Sequence, residues 1–289
     1  MFRADSWTDY SLLDCSDGER LEKWGNTVLI RPDPQVIWKN CRKHPLWKKA
    51  DGIYRRSSSG GGSWNENSTM PEEWTVSYRD LKFSIKPMGF KHTGLFPEQA
   101  VNWDWFSELI SNAGREIRVL NLFAYTGGAT VAAAKAGASV CHVDASRGMV
   151  AKAKENASLS GLADAKIRYI VDDCFKFCER EKRRGNTYDG IIMDPPSYGR
   201  GPNGEKWTLE DNIDGFVSLA ASLLSDNPLF FLLNSYTTGL SASTMGYVLE
   251  KNIVSEKGGR VVSEELGLRV QQTGGYLPCG ASSRWTPDK

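Results

Sequence analysis

The chain has 289 residues, 40% of them apolar and 25% charged, with a formal net charge of +1. That length suits one large domain or a large domain with a small one, and the composition is that of an ordinary soluble globular protein. No apolar run is long enough for a spanning helix, and Met1 to Ser6 hold no apolar signal core, so neither membrane insertion nor secretion is expected. Cysteines 15, 41, 141, 174, 178 and 279 are scattered along the chain and read as reduced thiols of a cytoplasmic protein.

In chain order, residues 27–31 form a first strand, ended by Pro32 and Pro34. A basic stretch follows: Lys39, Arg42, Lys43, Lys48, Lys49, Arg55 and Arg56 against the single acid Asp51, with Trp47 and Tyr54 among them. Basic residues mixed with aromatics serve phosphates and base stacking, or they form a solvated face over packed aromatics. Residues 57–68, rich in Ser, Gly and Asn, read as an exposed loop, and residues 74–78 and 81–85 alternate as a hairpin around Arg79-Asp80. Residues 1–88 are therefore expected to form a small, mainly β domain.

From residue 100 the pattern becomes strand–helix alternation. It predicts helices over 103–112, 130–136, 148–159 and 213–224, and strands over 118–123, 139–143, 167–171, 190–193 and 229–233. This predicts an α/β fold over residues 89–289, with a doubly wound, Rossmann-like, mainly parallel sheet.

Asp194-Pro195-Pro196-Ser197 directly follows the apolar run Ile191-Ile192-Met193. Two prolines cannot continue a central strand, so the chain leaves the sheet at its carboxyl edge, where ligands bind in open α/β sheets. The first strand of the alternating region runs into Phe123-Ala124-Tyr125-Thr126-Gly127-Gly128, a glycine-bearing turn that would let the backbone approach a ligand. Asp144, about 20 residues further on, either accepts from ribose hydroxyls or caps the next helix. Asp173, with Asp172 as the competing choice, either accepts from an adenine amine or caps the helix starting near Cys174. Phe123 and Tyr125 stand where a dinucleotide fold has glycines, so a cofactor without phosphates fits better than NAD. S-adenosylmethionine is the common one.

These residues resemble the class I S-adenosylmethionine-dependent methyltransferases, and within them the branch of 23S rRNA large-subunit cytosine and guanine methyltransferases. The resemblance rests on Asn121 to Gly128, Val143-Asp144-Ala145-Ser146, Asp173, Asp194 to Ser197, and upstream Lys91 to Gln99. It covers residues 85–240, and the N-terminal region departs from the small RNA-binding barrel that some members carry. It implies that Asn121, Phe123, Ala124, Tyr125, Thr126, Gly127, Asp144, Ala145 and Ser146 hold S-adenosylmethionine, with S-adenosylhomocysteine as product. It further implies Asp173 beside adenine, Thr93, Phe96 and Gln99 at the methionine end, and Asp194 at the methyl-transfer centre.

On the acceptor side, Asp194, Pro195, Pro196 and Tyr198 are the candidates. An exocyclic amine can donate to the Asp194 carboxylate and to the Pro195 carbonyl, while Tyr198 either stacks on a base or packs against the loop. Carbon-5 methylation of cytosine needs a thiolate, and residues 232–239 contain no cysteine. Cys279 is the nearest later thiol and is expected to be inert. Cys174 and Cys178 are expected to pack in the core, and no metal site is expected. The leading expectation is methyl transfer to a base nitrogen of RNA, ribosomal RNA above all; the alternative is a small-molecule or protein acceptor.

Overall fold

The computed structural model of the protein describes residues 1–57, 61–66, 70–200, 206–237 and 239–288. The chain forms two compact units, one of Phe2–Val101 with Gly267–Cys279, the other of Met1, Asn102–Leu266 and Gly280–Lys289. The chain's first division thus lies beyond the expected boundary after residue 88, and a late segment joins the N-terminal unit.

The N-terminal unit begins with a two-residue strand β1 (Phe2–Arg3) and a five-stranded sheet of β2 (Tyr10–Ser16), β3 (Glu19–Trp24), β4 (Thr27–Pro32), β5 (Gly52–Arg56) and β6 (Gly62–Glu66), in that spatial order. Asp17-Gly18, both at positive φ, makes the tight turn between β2 and β3. β4 and β5 are parallel, so the chain between them must cross over, and residues 33–51 do so with one 3-10 turn, Pro45–Lys48. β6 occupies part of the stretch expected as a loop over 57–68; residues 58–60, 67 and 68 of that stretch lie outside the described residues. The expected hairpin is present as β7 (Trp74–Tyr78) and β8 (Leu81–Ile85), turning at Arg79 with φ of +53°.

Buried charge is concentrated in this unit. The Glu22 side chain is fully buried and receives Arg31 through both carboxylate oxygens, at 2.5 and 2.8 Å, together with the Tyr10 hydroxyl at 2.8 Å. Arg20 lies 3.4 Å from the same carboxylate. Burial raises the Glu22 pKa, but Arg20, Arg31 and the two hydrogen bonds outweigh it and hold the group at about 2.

The second unit carries the expected alternation. Helix α1 (Ala100–Ser111) precedes β9 (Arg118–Leu122), α2 (Gly128–Lys135), β10 (Ser139–Asp144), α3 (Arg147–Leu159), β11 (Ile167–Val171), α4 (Cys174–Arg184) and β12 (Gly190–Met193). After β12 come a short antiparallel ribbon of β13 (Tyr198–Arg200) and β14 (Lys206–Thr208), then α5 (Leu209–Ala221) and β15 (Phe230–Ser235). α6 (Ala242–Leu249) runs through a π turn into α7 (Ser255–Lys257), and the long strands β16 (Arg260–Arg269) and β17 (Tyr276–Thr286) complete the order.

β15, β12, β9, β10 and β11 lie side by side and parallel, with β17 antiparallel to β15. Leu120, Leu122, Ile191, Met193, Phe231 and Leu233 form one buried cluster with Phe177 of α4 and Phe216, Val217 and Ala220 of α5. The chain steps from β9 outward to β10 and β11, then returns to the other side of β9 for β12. That reversal of direction is the switch point of a doubly wound sheet. Among the described residues, no helix is long and apolar enough to cross a membrane.

Replacing Glu22 by Gln removes the carboxylate shared by two buried arginines and is expected to cost about 3–5 kcal/mol in denaturant unfolding. Because the Glu22 pKa is depressed in the folded state, its stabilisation is complete above the unfolded value near 4.5 and is lost as pH falls toward 2. The variant should flatten that acid limb; an unchanged limb would show that Glu22 is not the group titrating there.

Candidate active site

The carboxyl ends of β12, β9, β10 and β11 present, in spatial order, Asp194, the turn 123–127, Asp144 and the pair Asp172-Asp173. All lie along the sheet edge that contains the switch point, where parallel strands leave a crevice between diverging loops.

The turn after β9 is strained. Phe123 and Tyr125 have φ of +55° and +50°, and Gly127 has +83°. Left-handed backbone at a side-chain-bearing residue costs about 1–3 kcal/mol and persists only where surrounding bonds over-determine it. Those bonds are present. The Phe123 N–H points at Cys174 Sγ at 3.3 Å, the Ala124 N–H donates to the Val143 carbonyl at 3.1 Å, and the Gly127 N–H donates to the Ala124 carbonyl at 2.9 Å. Asp144 makes the decisive pair: Oδ2 accepts from the Tyr125 N–H and Oδ1 from the Ser146 N–H, each at 2.8 Å. One half-exposed carboxylate thus joins the turn after β9 to the start of α3. Each oxygen keeps a second lone pair for a hydroxyl donor.

Gly127 is constrained by close approach as expected, but by protein. A Cβ there would lie 2.7 Å from Ala153 Cβ, so the missing side chain lets α3 pack on the turn. The Asn156 amide of α3 donates to the carbonyl of the buried Thr126 at 2.8 Å. Asn121 is buried below the turn and donates to Thr130 Oγ1 at 2.9 Å, which also lies 2.9 Å from His142 Nδ1. Burial lowers His142 to about 4, so this support stays neutral at physiological pH. Ala145 and Ser146 are exposed, and Ser146 also caps α3 through the Met149 N–H.

Asp173 caps α4, accepting from the Lys176 N–H at 2.8 Å, and its side chain is exposed. Asp172 instead forms an ion pair with Arg180. Phe175, 42% exposed beside Asp173, offers an apolar ring at this edge that sequence inspection passes over.

Asp194 is half-buried, and the loop it opens is fastened at several points. The Trp207 indole N–H donates to the Pro196 carbonyl at 2.6 Å, the Leu209 N–H to the Ser197 carbonyl at 3.1 Å, and the Thr237 hydroxyl to Ser197 Oγ at 2.7 Å. The β13–β14 ribbon sets Gly199 opposite Trp207, bringing that indole back to the loop. Trp207 also packs on Phe123 and Phe216, with ring centroids 6.1 and 5.9 Å apart, which links the Asp194 loop to the turn after β9. Tyr198 keeps 52% of its surface exposed. No local pattern marks Trp207 in sequence; its role depends on strand pairing.

Thr93, Phe96 and Gln99 belong to the N-terminal unit. Thr93 is fully buried and its hydroxyl has no hydrogen-bond partner among the described residues, Gln99 is buried, and Phe96 packs edge-on against His92. Cys174 and Cys178 sit in the core cluster of the second unit, and burial raises both thiol pKa values. Cys279 is buried as well, with its thiol raised by burial above all. Among the described residues no group of three or more His, Cys, Asp or Glu side chains is placed to hold a metal ion.

A family model described as "S-adenosylmethionine-dependent methyltransferase" matches residues 45–208, more than half of the chain. The chain belongs to the S-adenosylmethionine-dependent methyltransferase family. It is 34% identical over 175 residues to the ribosomal RNA large subunit methyltransferase K/L of Shewanella frigidimarina, covering 60% of this chain and 24% of that protein. It is 32% identical over 219 residues to the ribosomal RNA large subunit methyltransferase I of Tolumonas auensis, covering 73% of this chain and 52% of that protein. The methyltransferase described here therefore spans about a quarter and about half of the length of these curated relatives. A crystal structure of an S-adenosylmethionine-dependent methyltransferase from Agrobacterium tumefaciens superposes with a TM-score of 0.93 at 37% identity, covering 99% of this chain and 93% of that one. A methyltransferase solved with S-adenosylhomocysteine shares the fold at a TM-score of 0.73 and 20% identity, over 98% of this chain and 76% of that one.

The donor set at the sheet edge suits the family's cofactor. In the turn that leads into α2, the N–H groups of Phe123, Ala124, Tyr125 and Gly127 are taken up within the protein. Carboxylates at Asp144, Asp173 and Asp194 would repel phosphates and favour a ligand bearing hydroxyls, an amine and a positive sulfonium.

Asn at position 144 has one acceptor oxygen and cannot serve both N–H groups. Asp144→Asn is expected to weaken S-adenosylhomocysteine binding about 10- to 100-fold, the scale of a lost charge-assisted hydrogen bond, and to lower the melting temperature. Calorimetry reads both, and unchanged affinity would exclude Asp144 from the cofactor site.

Proposed function

We propose that this methyltransferase transfers a methyl group to a base nitrogen of RNA, with ribosomal RNA as the acceptor. The observation that carries the proposal is the fastened Asp194-Pro195-Pro196 loop at the sheet's switch point. Its Pro196 carbonyl is occupied by the Trp207 indole, and Asp194 stands half-buried at the strand end. The curated relatives bear the names of ribosomal RNA methyltransferases, which supports the acceptor class. That acceptor would place the reaction in the cytoplasm.

When bound, S-adenosylmethionine supplies a methyl group already activated by its sulfonium. The protein's part is alignment and the management of one proton. Asp144 would take the ribose hydroxyls on its remaining lone pairs, and Asp173 with Phe175 would hold the adenine. An exocyclic amine donates one hydrogen to Asp194 and another to the Pro195 carbonyl, which turns its lone pair toward the methyl carbon. Asp194 would accept the surplus proton that methylation releases from the amine, or pass it to water. Tyr198 offers its exposed ring to the base. A covalent ring adduct finds no thiolate in this unit, because burial keeps Cys141, Cys174 and Cys178 protonated, Cys141 at about 11.

Tritium from labelled cofactor should appear in ribosomal RNA. Asp194→Ala should lower transfer at least ~1,000-fold, the scale of losing general-base catalysis and acceptor orientation, while S-adenosylhomocysteine affinity stays within a few-fold. Label in a protein or small-molecule fraction and none in RNA would overturn the acceptor. Trp207→Phe keeps the ring packing and removes one hydrogen bond to the loop, so kcat should fall about tenfold with KM for RNA unchanged. A change in KM alone would mean that Trp207 meets the substrate directly.

A further inference from the structure

The crossover between β4 and β5 in the N-terminal unit is a built surface of positive charge. Its inner side is fixed by Asp14 of β2, a fully buried carboxylate. Asp14 Oδ2 accepts from the Lys43 N–H at 3.1 Å, the His44 N–H at 3.2 Å and the Trp47 indole at 2.8 Å, while Oδ1 accepts from the Cys15 N–H at 2.9 Å. The crossover is tied to the β2–β3 turn as well. The carbonyls of Val36 and Trp38 accept from the Gly18 and Asp17 N–H groups, and the N–H groups of Asn40 and Cys41 donate to Asp17 Oδ1 and Ser16 Oγ. The Trp38 indole reaches the Cys15 carbonyl at 2.7 Å. A loop fastened in this way is organised before any partner arrives and loses little entropy on binding.

The acids around it are already engaged. Asp33 is buried beside Arg20, and Asp51 accepts from the Val28 N–H. Asp17 and Glu19 take up Arg42, which lies over the Trp47 ring, and Glu19 also receives Arg55. Lys39, Lys43, Lys48, Lys49 and Arg56 remain exposed, and among the described residues none of them forms an ion pair. Between these cations Ile37 is 82% exposed and Trp38 37%. Unpaired cations around an exposed indole match a backbone of phosphates and a base or ribose face. A chain with a net charge of only +1 has concentrated positive charge here.

We propose that this crossover, Val36 to Lys49 with Arg56, is a docking surface for the phosphate backbone of RNA, with Trp38 as a stacking platform; the proposal rests on the RNA reading of the active site. Arg42 and Arg55 are assigned to holding the surface in shape. Lysines serve as point charges for phosphates and demand no single geometry, so the surface supplies affinity while leaving sequence choice elsewhere.

The test is binding of deproteinised 23S ribosomal RNA across a potassium chloride series, for the full chain and a variant with Lys39, Lys43, Lys48 and Lys49 all changed to Gln. Each lost phosphate contact removes about 0.7–0.9 from the slope of log affinity against log salt, so the slope should fall by about 3. Affinity near physiological salt should fall at least tenfold, with S-adenosylhomocysteine binding and circular dichroism unchanged. Trp38→Ala should lower affinity about tenfold without altering the slope, as loss of one stacking contact does. If wild-type protein binds and methylates RNA and the lysine variant keeps the same slope, the surface is wrong and the RNA reading stands. If wild-type protein neither binds nor methylates RNA, both fall.

Discussion

One carboxylate fixes the geometry of the active-site edge. Asp144 accepts from the backbone of Tyr125 on one side and of Ser146 on the other, and so ties the turn after β9 to the start of α3. Without it, Tyr125, at positive φ, would lose the bond to its N–H, and the turn would keep only those from Phe123, Ala124 and Gly127. The N–H groups of Phe123, Ala124, Tyr125 and Gly127 are consumed, and a carboxylate is set beside them. Such a turn suits the proposed cofactor, with its ribose and cationic sulfur.

The sheet topology does the rest of the positioning. Because β12 returns beside β9, Asp194 emerges next to that turn, with Met193 in register with Leu122. Trp207 then links the two loops, donating to Pro196 while its ring packs on Phe123. The turn after β9 and the Asp194 loop are thus joined by an aromatic contact as well as by the sheet. A buried polar chain from Asn121 through Thr130 to His142 supports the same turn from beneath, at the cost of keeping a histidine neutral in the core.

The parallel strands were legible because buried strands such as Ile191-Ile192-Met193 are short apolar runs followed by an acid or a glycine. Asp144 and Asp194 are legible for the same reason, since each directly follows such a run, whereas Asp173 comes one residue later, behind Asp172. β17 is harder to read: Leu277, Cys279, Ala281 and Trp285 are buried at alternate positions, but Pro278 lies among them and buried Ser283 takes one place in that alternation, while buried Ser282, on the opposite face, donates to Asn234 at 2.6 Å. β2 and β3 carried a usable signal in Asp17-Gly18, but their inner faces hold Asp14, Arg20 and Glu22, which masks the alternation. Trp207 lies eleven residues beyond Pro196 with no local pattern joining them, and only the β13–β14 pairing reveals the link. The capping role of Asp173 and the service of Gly127 to Ala153 likewise emerge only from coordinates, because each requires knowing which atom lies opposite.

Nitrogen methylation of ribosomal RNA at the Asp194 loop, the proposed reaction, is tested most directly by mass mapping of nucleosides in ribosomal RNA from cells with and without this protein. One nitrogen-methylated base should disappear without the protein and return with the wild-type gene but not with Asp194→Ala. An unchanged set of nucleosides, or the loss of a carbon-5-methylated cytosine, would contradict it.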